Sequence, residues 1–222
     1  MLFAFDLDGT LIDSARDLAD GTSAMLATYG AAPLPVDAVV DMVGDGARTL
    51  VARALAARAL EVSLDEALDR FRQAYDERLT RHTRPYEGIV EAIAALATQA
   101  RLAIVTNKPK APARRLLEAF GLERHFGWVV GGDGPFARKP DPAGLRHVMM
   151  RAGASAADTW LVGDSAIDRD TARAAGAGFC FARYGFGWRR TGLVPDASDI
   201  VVEQSRSLAG VLGGMLEERS RS

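Results

Sequence analysis

The sequence predicts an α/β fold in which a doubly wound parallel sheet is interrupted by an inserted α-helical domain. Two observations support this prediction. In the second half of the chain, short apolar runs alternate with helical patterns, whereas the pattern is helical throughout from 14 to 84. Alternation of strands and helices is typical of a parallel sheet that is covered by helices on both faces.

Five short apolar runs, rich in β-branched or aromatic residues, are predicted to be buried strands. In chain order they are Leu2 to Phe5, Leu102 to Val105, Trp128 to Val130, Thr159 to Val162 and Phe179 to Phe181. Helices are predicted after the second, third and fourth runs, and each ends at a glycine, as helices commonly do. These helices are Pro112 to Phe120, Pro142 to Arg151 and Asp168 to Ala175.

The long segment after the first strand is predicted to be a small helical domain with its own core, because it is too long for a loop. Ala47 to Leu60 and Leu64 to Thr80 carry apolar residues at helical spacing. The predicted domains are therefore residues 1–13 together with 85–222, and residues 14–84.

The charge balance argues against nucleic acid and membrane partners. The chain of 222 residues has 27 Lys and Arg against 29 Asp and Glu, so no overall positive field would attract a polyanion. No apolar run approaches the ~18 residues of a membrane span. No signal sequence is recognised at the N-terminus, so a cytoplasmic location is expected, as a monomer or a small homo-oligomer.

Two further features concern single segments. Cys180 has apolar neighbours and is predicted to be a buried strand thiol, which is consistent with a reducing compartment. The polar end of the chain, Glu217 to Ser222, is expected to fray.

Polar residues directly follow the first, second and fourth predicted strands. Ligands bind beyond the carboxyl ends of the strands in an open parallel sheet, so these polar clusters are expected to converge on one site. They are Asp6 to Thr10, Thr106 to Lys108, and Gly163 to Ser165 with Asp168 following.

Asp6 and Asp8 are candidates for a nucleophile and a general acid. A carboxylate can attack phosphorus, and a second acid nearby can protonate the leaving oxygen. The alternative is an Asp-rich surface turn, which is common for Asp-x-Asp-Gly alone. The position of the pair at the end of an apolar strand favours the catalytic interpretation.

Asp164 supplies a third acid, and the set suits Mg²⁺, which prefers hard oxygen ligands. We expect Mg²⁺ to be held by Asp6, the main-chain carbonyl of Asp8 and Asp164, with Asp168 binding the metal through water or orienting its neighbours. The structural alternative for Asp164 and Ser165 is helix N-capping.

Phosphoryl oxygens also need hydrogen-bond donors. Thr106 offers a hydroxyl group and Asn107 an amide at the end of a strand. Lys139 lies in a proline-rich loop just before a predicted helix, and Lys108 is interpreted as a solvated surface charge.

These motifs resemble those of the haloacid dehalogenase superfamily of phosphatases. Four of them match in order along nearly the whole chain: Asp6-Leu7-Asp8-Gly9-Thr10-Leu11, Thr106-Asn107, Lys139, and Gly163 to Asp168. The resemblance implies a Rossmann-like core, an α-helical cap formed by the insert, and a phosphoryl-binding role for Lys139.

Within that superfamily the chain is similar to phosphoglycolate phosphatases. The segments that carry this similarity include Asp13-Ser14, Val43 to Arg48, Thr106 to Pro109, Gly131 to Asp133 and Arg138 to Pro142. The similarity implies a small phosphorylated metabolite as substrate, with Gly44 and Arg48 in a cap loop that helps to select it. Asp45 places a carboxylate in the same loop, and we expect Arg48 to offset that charge.

Several alternative functions remain open at the level of sequence. The substrate could be another small phosphate ester or pyrophosphate, or the chain could be a phosphoglucomutase-like isomerase. A non-catalytic binding protein on the same fold is a third hypothesis, although Asp6, Asp8, Lys139 and Asp164 are all present. A dehalogenase is disfavoured, because it has no need of the second acid Asp8.

Overall fold

The computed structural model describes residues 1–220, except for the side chains of residues 191 and 220. Its main sheet has six parallel strands in the order β5-β4-β1-β6-β7-β8. The strand order reverses on either side of β1, which confirms the predicted doubly wound α/β fold. The strands are β1 (Leu2–Phe5), β2 (Ile12–Asp13), β3 (Arg84–Pro85), β4 (Arg101–Val105), β5 (Trp128–Val130), β6 (Thr159–Gly163), β7 (Gly178–Ala182) and β8 (Ile200–Val202).

Ten α-helices are present within residues 1–220. The three helices predicted between the later strands are confirmed as α6, α7 and α8, with shifts of one to two residues at most of their ends. The helices are α1 (Ala15–Ala27), α2 (Val36–Val40), α3 (Ala47–Ala56), α4 (Leu64–Asp76), α5 (Ile89–Leu96), α6 (Lys110–Ala119), α7 (Ala143–Ala152), α8 (Ala166–Ala175), α9 (Trp188–Thr191) and α10 (Leu208–Ser220).

Residues 217–220 of the C-terminal segment belong to α10, while residues 221 and 222 lie outside the described part of the chain. The expected fraying of this segment stays a prediction. Cys180 is fully buried in β7, as predicted. None of the helices described in residues 1–220 combines the length and the apolar character that a membrane span needs.

The central strand β1 is buried on both faces, because its four residues are all apolar. Side chains alternate along a strand, so Leu2 and Ala4 enter one apolar cluster while Phe3 and Phe5 enter the other. The first cluster includes Leu145 of α7, and the second includes residues of α5, α6 and α10. The sheet therefore has a packed core on each side.

Helices α1 to α4, which we call the cap, form the insert. Their apolar faces bury Met25, Leu26, Ala54, Leu68 and Phe71, which belong to the same apolar cluster as Phe3 and Phe5 of the sheet. The chain leaves and re-enters the main sheet region through the short antiparallel pair β2 and β3. This pair was not predicted, because two residues per strand give no recognisable pattern.

Asp17 links helix α1 to the segment that returns from the cap. Its carboxylate is fully buried and accepts hydrogen bonds from the backbone N–H groups of His82 and Thr83 and from the Thr83 hydroxyl, at 2.8 to 3.0 Å. A buried carboxylate is tolerated only when its hydrogen bonds are made. Asp17 therefore fixes the base of the cap.

We predict that Asp17→Ala lowers the free energy of unfolding by about 3 kcal/mol, because three hydrogen-bond donors, two of them buried, lose a charged acceptor. Asp20→Ala is the matched control, since Asp20 lies one turn away and pairs with the exposed Arg16 at 3.0 Å. Asp20→Ala should lower the free energy of unfolding by less than about 1 kcal/mol. Urea-induced unfolding measures both variants. Equal losses in the two variants would contradict the role of Asp17.

Candidate active site

Three neighbouring strands deliver the predicted site residues to one edge of the sheet. Strand β1 pairs in parallel with β4 and β6, which aligns Phe5 with Ile104 and Val162. Asp6 continues this register, because its backbone N–H donates to the Val162 carbonyl at 2.9 Å. The residues that follow each strand therefore meet, as the sequence predicted.

Lys139 bridges two of the acids. Its Nζ lies 2.9 Å from Asp6 Oδ1 and 2.6 Å from Asp168 Oδ1, and its side chain is 4% exposed. Asn107 fixes the loop that carries it: Asn107 Oδ1 accepts from the Lys139 N–H at 2.9 Å, and Nδ2 donates to the Lys139 carbonyl at 3.0 Å. The ammonium group is thus held beside the candidate nucleophile.

Both carboxylate oxygens of Asp168 are already occupied. Oδ1 accepts from Lys139, and Oδ2 accepts from the N–H of Ser165 at 3.1 Å and from its hydroxyl at 2.6 Å. The Ser165 hydroxyl in turn accepts from the Asp168 N–H, which completes a capping box at the start of α8. Asp168 therefore orients Lys139 and caps the helix at the same time.

Asp164 lies in a tight pocket of backbone. Its Oδ2 accepts from the N–H groups of Phe186 at 3.0 Å and Gly187 at 2.6 Å. Glycine is required around it: a Cβ on Gly9 would lie 2.0 Å from Asp164 Oδ2, and one on Gly185 would lie 2.1 Å from the Gly9 carbonyl oxygen. Gly9 also has a φ of +83°, which favours glycine.

The acids at this edge of the sheet form a group that fits a divalent cation. Oxygens of Asp6, Asp164 and Asp168 lie within 4.8 Å of one another. Asp6 Oδ1 is buried and, apart from its ion pair with Lys139 at 2.9 Å, has no hydrogen-bond partner among the described residues. Carboxylate oxygens in such a group suit a hard cation such as Mg²⁺.

The pKa shifts of these carboxyl groups also favour a bound cation. Burial raises the pKa of Asp6 to about 6, although Lys139 opposes the shift. Burial, followed by repulsion from Asp168 and Asp6, raises the pKa of Asp164 well above its ordinary value. One ammonium group does not balance three close carboxylates, and a bound cation would reverse these shifts.

Asp8 is held by two side chains beside the Asp6 site. The Ser14 hydroxyl donates to Asp8 Oδ1 at 2.6 Å, and Lys108 Nζ lies 3.1 and 3.2 Å from its two oxygens. The interpretation of Lys108 as a solvated surface charge is therefore wrong, since its side chain is 4% exposed. Its place directly after Asn107 at the end of a strand was the signal that could have identified it.

Thr106 and Asn107 are both buried, but they differ in what they can offer a ligand. Thr106 Oγ1 accepts from the Lys108 N–H at 3.2 Å, which leaves its hydroxyl proton able to donate. The Asn107 amide has its donors engaged with the carbonyls of Lys139 and Gly44. Its side chain therefore positions the loops around it, and the structure does not place it as a free phosphoryl donor.

The cap loop contributes Gly44 to the site but not Arg48. Gly44 lines the cavity, and its carbonyl accepts from Asn107 at 2.9 Å. Arg48 is on the outer surface, where its side chain is 48% exposed and pairs with Asp65 at 2.5 Å. The direction of a helical side chain, which sequence spacing alone did not resolve, turns Arg48 away.

The charge of Asp45 is offset by Arg53 and Arg190, and not by Arg48. Its Oδ2 lies 2.6 Å from Arg53 of the cap and 3.1 Å from Arg190 of α9. The expectation that Arg48 offsets this charge is therefore wrong. Asp45 instead forms an ion pair between the cap and the main sheet domain.

A cavity of about 200 Å³ separates the cap from the sheet edge. Asp6, Asp8 and Asp164 line its floor, and mostly apolar cap side chains line its roof. The cap residues in its wall include Leu18, Val43, Ala47, Leu50, Phe71 and Tyr75. Such a roof shields the acids from bulk water.

Comparison with known proteins identifies the family. The model of the haloacid dehalogenase-like hydrolases matches residues 3–182. The chain belongs to the haloacid dehalogenase-like hydrolases. It is 44% identical over 191 residues to phosphoglycolate phosphatase of Rhodospirillum rubrum, which covers 82% of this chain and 79% of that protein.

Other relatives agree with this assignment. The chain is 38% identical over 213 residues to phosphoglycolate phosphatase 1 of Pseudomonas aeruginosa, covering 93% of this chain and 78% of that one. The crystal structure of a predicted phosphoglycolate phosphatase from Haemophilus somnus superimposes with a TM-score of 0.88 at 28% identity, over 95% and 97% of the two chains. This haloacid dehalogenase-like hydrolase is therefore a phosphoric monoester hydrolase.

We predict that Gly185→Ala lowers kcat/KM on a phosphate monoester by about tenfold to a hundredfold, because the added Cβ displaces Asp164. This Cβ would lie 2.5 Å from the Asp164 Cβ. Gly210→Ala is the control, since nothing lies within 4 Å of a Cβ at that position. Steady-state kinetics of the two variants checks this prediction. Equal activity in the two variants would contradict the packing argument.

Proposed function

We propose that this chain is a Mg²⁺-dependent phosphatase that hydrolyses 2-phosphoglycolate to glycolate and phosphate through an aspartyl-phosphate at Asp6. The observation that carries the proposal is the arrangement around Asp6. Its carboxylate lines the cavity, lies 2.9 Å from Lys139 Nζ and has a buried oxygen without a hydrogen bond. Asp8, two residues later, lines the same cavity.

The first step transfers the phosphoryl group to the protein. An Asp6 carboxylate oxygen attacks phosphorus, and the bond from phosphorus to the glycolate oxygen breaks. Asp8 gives its proton to that oxygen as it leaves. Lys139 and the Thr106 hydroxyl stabilise the charge on the phosphoryl oxygens, which is the main catalytic requirement of phosphoryl transfer.

The second step regenerates the protein. Asp8, now a carboxylate, takes a proton from water as that water attacks the phosphorus of the aspartyl-phosphate. The bond between phosphorus and Asp6 breaks and releases phosphate. Because one residue acts first as acid and then as base, Asp8 returns to its starting state after each turnover.

Asp6, Asp164 and the main-chain carbonyl of Asp8 would hold the cation, with Asp168 acting through Lys139 or through water. When bound, Mg²⁺ supplies positive charge that offsets the carboxylates and the phosphoryl oxygens. Asp164 is held in place for this role by the N–H groups of Phe186 and Gly187.

The relatives named phosphoglycolate phosphatase support the choice of substrate. The cavity also suits a small acid. Its described lining includes the cationic side chain of Arg72, and the rest of its roof is mostly apolar. Such a cavity offers a partner for one carboxylate but few partners for the hydroxyl groups of a sugar.

Phosphate release from a substrate panel tests the proposal. The panel contains 2-phosphoglycolate, sugar phosphates, pyrophosphate and nucleoside monophosphates, each with Mg²⁺ and with excess chelator. We expect turnover that requires the metal and is fastest with 2-phosphoglycolate. Faster turnover of another compound would contradict the choice of 2-phosphoglycolate as substrate. Isomerisation of a sugar phosphate without release of inorganic phosphate would favour a mutase.

We predict that Asp6→Asn lowers kcat by at least about a thousandfold, because an amide does not form the phosphoryl intermediate. The same variant should be more stable than the native chain in chelator at pH 7. The folded-state pKa of Asp6 is raised to about 6, so its ionisation opposes folding as pH rises from about 4 to 6.

Asp37→Asn is the control for this variant, because the Asp37 side chain is 92% exposed. It should change neither the rate nor the urea midpoint. A folded Asp6→Asn protein that keeps the native phosphatase rate would rule out Asp6 as the nucleophile.

A further inference from the structure

Lys108 connects the candidate acid Asp8 to the cap. Lys108 Nζ lies 3.1 and 3.2 Å from the two Asp8 oxygens, and it donates to Tyr75 Oη at 2.7 Å. An ammonium group has three N–H donors and no acceptor. Contacts to two carboxylate oxygens and one phenol oxygen therefore account for the donors of Lys108.

The three residues come from different parts of the fold. Asp8 and Lys108 follow β1 and β4 of the main sheet, whereas Tyr75 belongs to α4 of the cap. Tyr75 is 5% exposed and stacks on Phe71 with ring centroids 5.6 Å apart. The Tyr75 hydroxyl therefore reaches Lys108 only when α4 lies over the sheet edge.

We propose that Tyr75 is a positioning residue for proton transfer by Asp8, acting through Lys108. By accepting a hydrogen bond from Lys108 Nζ, Tyr75 fixes the ammonium group against the Asp8 carboxyl group and so orients it toward the cavity. This inference rests on the proposed function, in which Asp8 protonates the leaving oxygen. Lys108 and Tyr75 keep their own protons throughout the step.

The consequence is that delivery of the proton depends on the seating of the cap. While α4 covers the cavity, Lys108 is held from two sides and Asp8 has one orientation. If α4 moves away, Lys108 loses the Tyr75 contact, and the orientation of Asp8 is less restricted. The acid is then in place only when the substrate is enclosed.

The leaving group distinguishes this role from a merely structural one. An alkoxide such as that of glycolate is a poor leaving group and needs a proton from the acid. A nitrophenolate leaves readily without one. Damage to the acid therefore slows an alkyl phosphate much more than an aryl phosphate, whereas general damage to the fold slows both alike.

The experiment uses Tyr75→Phe, which keeps the ring stack and removes only the hydroxyl group. The value of kcat/KM reports on the steps up to departure of the leaving group, so it is measured with 2-phosphoglycolate and with p-nitrophenyl phosphate. We expect a fall of about tenfold or more with the first and less than about threefold with the second.

Tyr29→Phe is the matched control, because it removes a tyrosine hydroxyl from the same cap. The Tyr29 hydroxyl is buried and makes no hydrogen bond among the described residues. This variant should leave kcat/KM unchanged with both compounds. Urea midpoints of both variants verify that each protein is folded.

A second variant, Lys108→Met, tests the connection itself. It should show the same preference for the aryl phosphate, and adding Tyr75→Phe to it should change kcat/KM no further, because the contact is already lost. Independent, multiplying effects would overturn the proposed link. Equal losses with both compounds, or no loss, would overturn the role of Tyr75.

The proposed function fails in a different way from this inference. If the native chain releases phosphate from neither compound with Mg²⁺ present, the phosphatase proposal and this inference both fall. If the native chain is active and Tyr75→Phe matches it on both compounds, only the inference is overturned.

Discussion

The crowding of three carboxylates around one buried ammonium group is the constraint on which the rest of this structure depends. Asp6, Asp164 and Asp168 have oxygens within 4.8 Å of one another, with Lys139 between two of them. Like charges this close oppose folding unless they are compensated. The parallel strands, the capping box of α8 and the backbone donors to Asp164 all hold the group together against that repulsion. The site is thus assembled at a cost to stability that a divalent cation would offset.

The cap contacts the main sheet domain through polar pairs as well as through the apolar cluster that the two share. Asn107 donates to the Gly44 carbonyl, Arg190 pairs with Asp45, and Lys108 donates to Tyr75. On the outer surface Arg115 pairs with Asp76 at 3.1 Å. An exposed pair such as Arg115 with Asp76 can exchange with water at little net cost. Separation of the buried contact between Lys108 and Tyr75, or of the shared apolar cluster, costs more.

The sequence predicted the parts of the fold and site that local pattern determines. Apolar strands that end in Asp6, Thr106 and Asp164 are local features, and parallel pairing then brings the three together. The burial of Lys108 and the outward direction of Arg48 depend on residues 17 to 100 positions away, Asp65, Tyr75 and Asp8, so no local pattern reports them. The strand β8 was not predicted, although its three apolar residues are as many as those of the predicted run from Trp128 to Val130.

The most direct test of the central claim is the stability of the metal-depleted chain as Mg²⁺ is added. Thermal unfolding is followed at increasing MgCl₂, and at NaCl concentrations of matched ionic strength. If the carboxylates of Asp6 and Asp164 form a cation site, the midpoint rises with Mg²⁺ and then saturates, while NaCl has a much smaller effect. The same midpoint in chelator and in saturating Mg²⁺ would contradict the account.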